Sequence, residues 1–193
     1  NPQISIVFPA NNTNTSNTLL NINYTVSDTY LGSCWYTNDT YLINTTLASC
    51  TNITSVIWSE GQHNVTIWAN DSANNKNSSF VRFTIDTIKP QLNLTYPLNL
   101  TYNINISTLN YTVSDINLEN CWYSINSGTT NISVTCGTNL TGLISNEGSN
   151  TWLVGINDSA NNKNMSRVTF FKDTVYPLIS YETGTEINNY NTT

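Results

Sequence analysis

Four cysteines fall into two pairs. Cys34 and Cys50 enclose 15 residues, and Cys121 and Cys136 enclose 14. Such thiols can bind zinc or oxidise. Structural zinc sites use CxxC or His-containing spacings, but this chain has no CxxC and a single histidine. The pairs therefore read as two disulfides, Cys34–Cys50 and Cys121–Cys136, and an even cysteine count used this way implies an oxidising, extracellular setting. Closing a loop of this size is worth roughly 3 kcal/mol in the chain-entropy view.

The other titratable residues suggest no catalysis. His63 is alone, and the corresponding position in the second half of the chain is Asn150. The acids recur in register: Asp28 with Asp115, Asp71 with Asp158, Asp86 with Asp173 and Glu60 with Glu147. Duplicated acids ordinarily serve turns and caps. There is no nucleophile elbow, P-loop or glycine-rich dinucleotide loop, and glycosidase chemistry would need two carboxylates in one cleft. The expectation is a protein that is not an enzyme, with no catalytic or cofactor-binding residue. Asp86 and Asp173 each stand just before a proline. Hard cations take several oxygen ligands, so these two are the calcium candidates, a hydrogen-bonded linker turn being the other reading.

Asparagine is the remaining reactive feature. Asn-x-Ser/Thr sequons begin at Asn11, Asn14, Asn23, Asn38, Asn44, Asn52, Asn64, Asn70 and Asn77. They continue at Asn93, Asn99, Asn105, Asn110, Asn131, Asn139, Asn157 and Asn164, with Asn191 last. This is about twice what random placement of 34 Asn and 50 Ser and Thr would give. Strand alternation alone would enrich Asn-x-Thr on a polar face. A secreted chain nonetheless offers these sites to the glycosylation machinery, and N-glycans are the expected modification.

The elements that position these residues are repeated. Cys34-Trp-Tyr36, Cys50, Glu60-Gly61, Asn70 to Asn77 and Asp86-Thr87 recur about 87 residues on, and the octapeptide Asn157 to Asn164 is identical to the first. A repeat of this period signals an array of modules. The expected domains are 1–89 and 90–176, with 177–193 as the first strand of a further module or a strand exchanged between subunits. The chain is thus expected to belong to something longer.

Within a module, period-two alternation dominates. Strands are expected at 3–8, 20–27, 33–37, 41–46, 52–58, 63–69 and 79–86. The second module gives 91–96, 107–114, 120–125, 130–135, 139–145, 150–156 and 166–172. Seven short strands with frequent turn residues argue an all-β fold of two tandem Greek-key sandwiches, immunoglobulin-like or fibronectin III-like. Val65, Ile67 and Ala69 align with Trp152, Val154 and Ile156 as one core face. Trp35 and Trp122 are expected in the core, which would put Cys34 and Cys121 on the outer face. Trp58 and Trp68 are the exposed aromatics, and the octapeptide is a hairpin turn rather than a binding loop.

Charged residues are 9% of the chain, with 6 Lys and Arg against 12 Asp and Glu. That leaves no basic footprint for nucleic acid. No apolar run approaches a membrane span. The junction Asp86-Thr-Ile-Lys-Pro90 has no Gly/Ser linker, and proline restricts its neighbourhood, so a stiff end-to-end rod is expected.

The segments EGQHNVTIWANDSANNKNSSFVRFTIDTIKP and EGSNTWLVGINDSANNKNMSRVTFFKDTVYP resemble the closing half of bacterial and archaeal Ig-like repeats. The tail DTVYPLISYETGTEINNYNTT is similar to module openings in large Asn-rich archaeal surface proteins. The resemblance implies cell-surface stalks, adhesins, S-layer components and filaments, and supplies no catalytic residue. The expected function is a structural, glycosylated segment of an extracellular fibre, whose partners are neighbouring modules or other copies. The alternatives are an adhesin module binding glycans or partner cells, and a spacer of a secreted hydrolase.

Overall fold

The computed structural model describes residues 1–179. Asn191 and most of the 177–193 tail lie outside the described residues, and Pro177–Ile179 carry no strand. Regular structure among the described residues is strand, apart from one short 3-10 turn at Ala48–Cys50. The first module contains β1 (Gln3–Phe8), β2 (Thr13–Thr15), β3 (Asn23–Ser27), β4 (Leu31–Asn38), β5 (Thr45–Leu47), β6 (Gly61–Asp71) and β7 (Lys76–Ile85). The second contains β8 (Gln91–Tyr96), β9 (Thr101–Tyr102), β10 (Asn110–Ser114), β11 (Leu118–Ser124), β12 (Ile132–Val134), β13 (Gly148–Asp158) and β14 (Lys163–Lys172).

Each module is a β-sandwich. A two-stranded sheet, β1 with β3 or β8 with β10, faces a five-stranded sheet. The larger sheets run β2-β7-β6-β4-β5 and β12-β11-β13-β14-β9. The cores lie between the layers. Alternation buries Val65, Ile67 and Ala69 on β6 and Trp152, Val154 and Ile156 on β13, as the shared apolar face of the two sequences requires. Edge-to-face aromatic pairs fill the space between layers: Trp58 on Phe83 and Trp152 on Phe170, both with ring centroids 5.0 Å apart.

Two expected strands are absent. Segments 52–58 and 139–145 pair only through single bridges, Ile53 with Ile22 and Leu140 with Leu109. Their alternating side chains serve as plugs: Ile53 and Trp58 are buried, and the Trp58 Nε1 donates to the carbonyl of Leu20 at 2.9 Å. Trp58 is therefore no exposed aromatic; it is 2% exposed. In turn β2 and β9 are too short to show a period in sequence. Each adds in parallel to the last strand of its module.

The orientation of the Cys-Trp-Tyr step is the reverse of the expectation. Cys34 is 1% and Cys121 2% exposed, whereas Trp35 and Trp122 are half-buried on the outer sheet face. Register explains this. Cys34 pairs with Ala69 and Cys121 with Ile156, both core-facing, while Trp35 pairs with Trp68 and Trp122 with Gly155. Cross-strand partners share a face. The bridges Cys34–Cys50 and Cys121–Cys136 thus run from the core face of the sheet, and Cys136 packs on the second core.

Candidate functional site

One turn recurs in both modules, and its second copy lies at the junction between them. Asp71 accepts the backbone N–H of Ala73 and of Asn75 on Oδ1, at 3.0 and 2.8 Å, and the Asn75 side-chain amide on Oδ2 at 2.8 Å. Asp158 repeats the pattern with Ala160 and Asn162 at 3.0, 2.8 and 2.8 Å. Asn74 and Asn161 adopt left-handed φ values of 63° and 66°, which asparagine tolerates. The octapeptide is the turn its composition called for.

In the second module that turn also receives the first module. The Asn162 Nδ2 donates to the main-chain carbonyl of Asp86 at 2.7 Å. The Asn117 Nδ2 donates to the Asp86 carboxylate at 3.2 Å. Within the second module the Asn164 Nδ2 holds the carbonyl of Pro90 at 2.9 Å, as the Asn77 Nδ2 holds that of Pro2 in the first. Farther out, Asn14 reaches Ser159 at 3.0 Å. The exit strand is itself fixed: the Asp86 N–H donates to Thr15, Asp86 Oδ1 accepts from the Ile88 N–H, and Thr87 is held by the Glu60 carboxylate at 2.8 Å through its hydroxyl. Beside this contact lies an open cleft of about 370 Å³, with Ile88 and Ile116 on its rim.

Of the two calcium candidates, Asp86 is buried here. Its carboxylate and those of Asp115 and Asp158 lie within 4.8 Å of one another, and Asp158 is fully buried. Carboxylate oxygens at this spacing can share one hard cation. They are also three like formal charges, which repel at close range. The corresponding acids Asp28 and Asp71 lie together at the far end of the first module, beside Asn1. Asp173 has the same local turn as Asp86, accepting from the Val175 N–H at 3.1 Å, but is exposed. Sequence reasoning missed Asp115, Asn117, Asp158 and Asn162 as junction residues. For Asp115 and Asp158 the signal in sequence is their recurrence with Asp28 and Asp71, which local turn chemistry explains equally well.

His63 is buried beside Trp58 and Phe83. Its ring nitrogens face the Asp39 carboxylate at 3.0 Å and the Ser59 carbonyl at 2.9 Å. Asn150 does corresponding work in the second module, donating to the carbonyls of Asn146 and Gly148. Both side chains clamp the turn that enters the central strand. Trp68 is half-buried, its indole parallel to Trp35 with centroids 6.4 Å apart and the Lys76 ammonium 5.9 Å from the Trp35 ring.

No family model matches the sequence, and no curated protein matches it. Solved structures do. The fibronectin(III)-like modules of Clostridium thermocellum CbhA superpose with a TM-score of 0.55 at 16% identity, over 93% of this chain and all of that one. The likeness is one of fold. A tetra-tandem repeat from the extending region of a large adhesion protein matches at TM-score 0.39 and 17% identity, over 90% of this chain and 50% of that one. The chain is an all-β pair of fibronectin III/Ig-like sandwiches.

Proposed function

We propose that the chain is a structural segment of an extracellular surface fibre, a stiff glycosylated rod of Ig-like modules whose contacts are with further modules or copies. The carrying observation is the seat of Asp86: its carbonyl and its carboxylate are each held by an asparagine of the next module, Asn162 and Asn117. Two such bonds across a five-residue joint oppose hinge motion, each contributing on the order of 1 kcal/mol. Small-angle scattering of the full chain should fit one fixed arrangement of the modules. The Asn117→Ala/Asn162→Ala double variant should broaden it. A wild-type profile that needs an ensemble of bent forms overturns the reading.

The adhesin alternative is favoured by one feature that was not duplicated, the Trp35–Trp68 pair on the outer face. Glycan-array binding that disappears in Trp68→Gly would support it over the structural role.

A further inference from the structure

Twelve of the sequons form six pairs that recur between modules, and two pairs share a position in the fold. Asn11 and Asn99 precede β2 and β9; Asn44 and Asn131 precede β5 and β12. These four are the edge strands of the two large sheets. In each case the Ser or Thr of the sequon (Thr13, Thr46, Thr101 or Ser133) lies on the edge strand itself. All four asparagines are exposed, and none donates its side-chain amide to another group among the described residues.

An open edge presents unpaired backbone groups to other chains, and proteins guard it with charge, proline or short strands. Here the four strands are only two or three residues long, and none contains a charged residue or a proline. Exposed apolar side chains adjoin three of the four sequons: Leu42 and Ile43, Leu98 and Leu100, and Ile132. By contrast the octapeptide sequons have their amides engaged. Asn77 and Asn164 donate to the carbonyls of Pro2 and Pro90 at 2.9 Å, and buried Asn157 donates to the carbonyl of Asp158.

We propose that N-glycans at Asn11, Asn44, Asn99 and Asn131 guard the four open sheet edges against edge-to-edge pairing, while Asn77, Asn157 and Asn164 stay unmodified because their amides hold the fold. This rests on the glycosylated, extracellular reading above. A hydrated glycan at the start of an edge strand blocks approach of a second backbone and covers the apolar residues beside it, the task that charge performs elsewhere.

The test is to secrete the full chain from an N-glycosylating host and map glycopeptides in the folded fraction. The four edge sites should be occupied, and Asn77, Asn157 and Asn164 bare. The variant Thr13→Ala/Thr46→Ala/Thr101→Ala/Ser133→Ala keeps every asparagine but removes the four sequons. It should self-associate several-fold faster in light scattering, with little change in melting temperature. Thr54→Ala/Thr141→Ala, which removes the sequons of Asn52 and Asn139, should not. Made without glycosylation, the four-site variant should associate at the rate of unglycosylated wild type. Absence of glycans at every sequon overturns the glycosylated reading and this inference together. Glycans elsewhere with bare edges, or edge glycans whose removal leaves association unchanged, overturn this inference alone.

Discussion

The indole of Trp122 lies flat against the backbone of Gly155, so closely that a Cβ on that residue would stand 2.3 Å from the ring. The corresponding pair in the first module is Trp35 with Trp68, two parallel indoles. One substitution between the repeats thus exchanges a ring on bare backbone for a ring beside a ring. Gly155→Ala should force Trp122 off its seat and destabilise the second module by about 1–3 kcal/mol, as overpacking does. Thermal unfolding followed by tryptophan fluorescence would show it. An unchanged melting point would mean that Trp122 moves freely.

Asn75 and Asn162 do the same local work, but only Asn162 also holds the preceding module's exit. Replacing either by Ala should cost about 1–3 kcal/mol in its own module for the lost partners of a largely buried carboxylate. Only Asn162→Ala should also loosen the arrangement of the modules in scattering. Equal scattering from the two variants would remove the junction role of Asn162.

Asp115 is the least engaged member of the junction carboxylates, accepting the Asn117 N–H at 2.7 Å. Asp115→Asn keeps that acceptor and removes one negative charge. In chelator-treated buffer it should raise stability, by about 1 kcal/mol at the effective dielectric of a partly buried site. Added calcium should narrow or reverse the difference if the cluster binds it. Calorimetry with and without the ion decides between a strained anionic joint and a cation site.

Two carboxyl groups are held below the usual carboxylate range. For Asp71 the main cause is the hydrogen bond from the Asn75 side chain, and for Glu147 it is the backbone N–H of Thr174. A depressed folded-state value stabilises the fold above the ordinary carboxylate pKa of about 4, and that contribution is lost as pH falls through the folded value. Melting temperature should therefore be flat at neutral pH and fall below about pH 4. Asp71→Asn and Glu147→Gln should each flatten the acid slope. A slope unaltered in both variants would assign acid sensitivity to other groups.

The two-module division, the sandwich class and the core faces of β6 and β13 could be read from sequence, because burial imposes period two and the repeat tests it twice. The Cys-Trp-Tyr orientation could not be read, because alternation fixes only that Cys and Trp point to opposite faces. Ala69 and Ile156 face inward by alternation, but it takes the strand register to turn their partners Cys34 and Cys121 to the same side. The junction could not be read, since Asp86 and Asn162 are 76 residues apart and meet only through the turn geometry of both modules. Bridge-only segments such as 52–58 look like strands in sequence because side chains plugging a core alternate much as a strand's do.

The seat for Asp86 has a consequence for the order of events in synthesis. Asn162 belongs to the last hairpin of the second module, so the joint lacks half of its socket until nearly all of that module has emerged. During translation the first module can fold while its successor hangs from it as a free tether. The contacts of the joint then close one step late, behind the end being made.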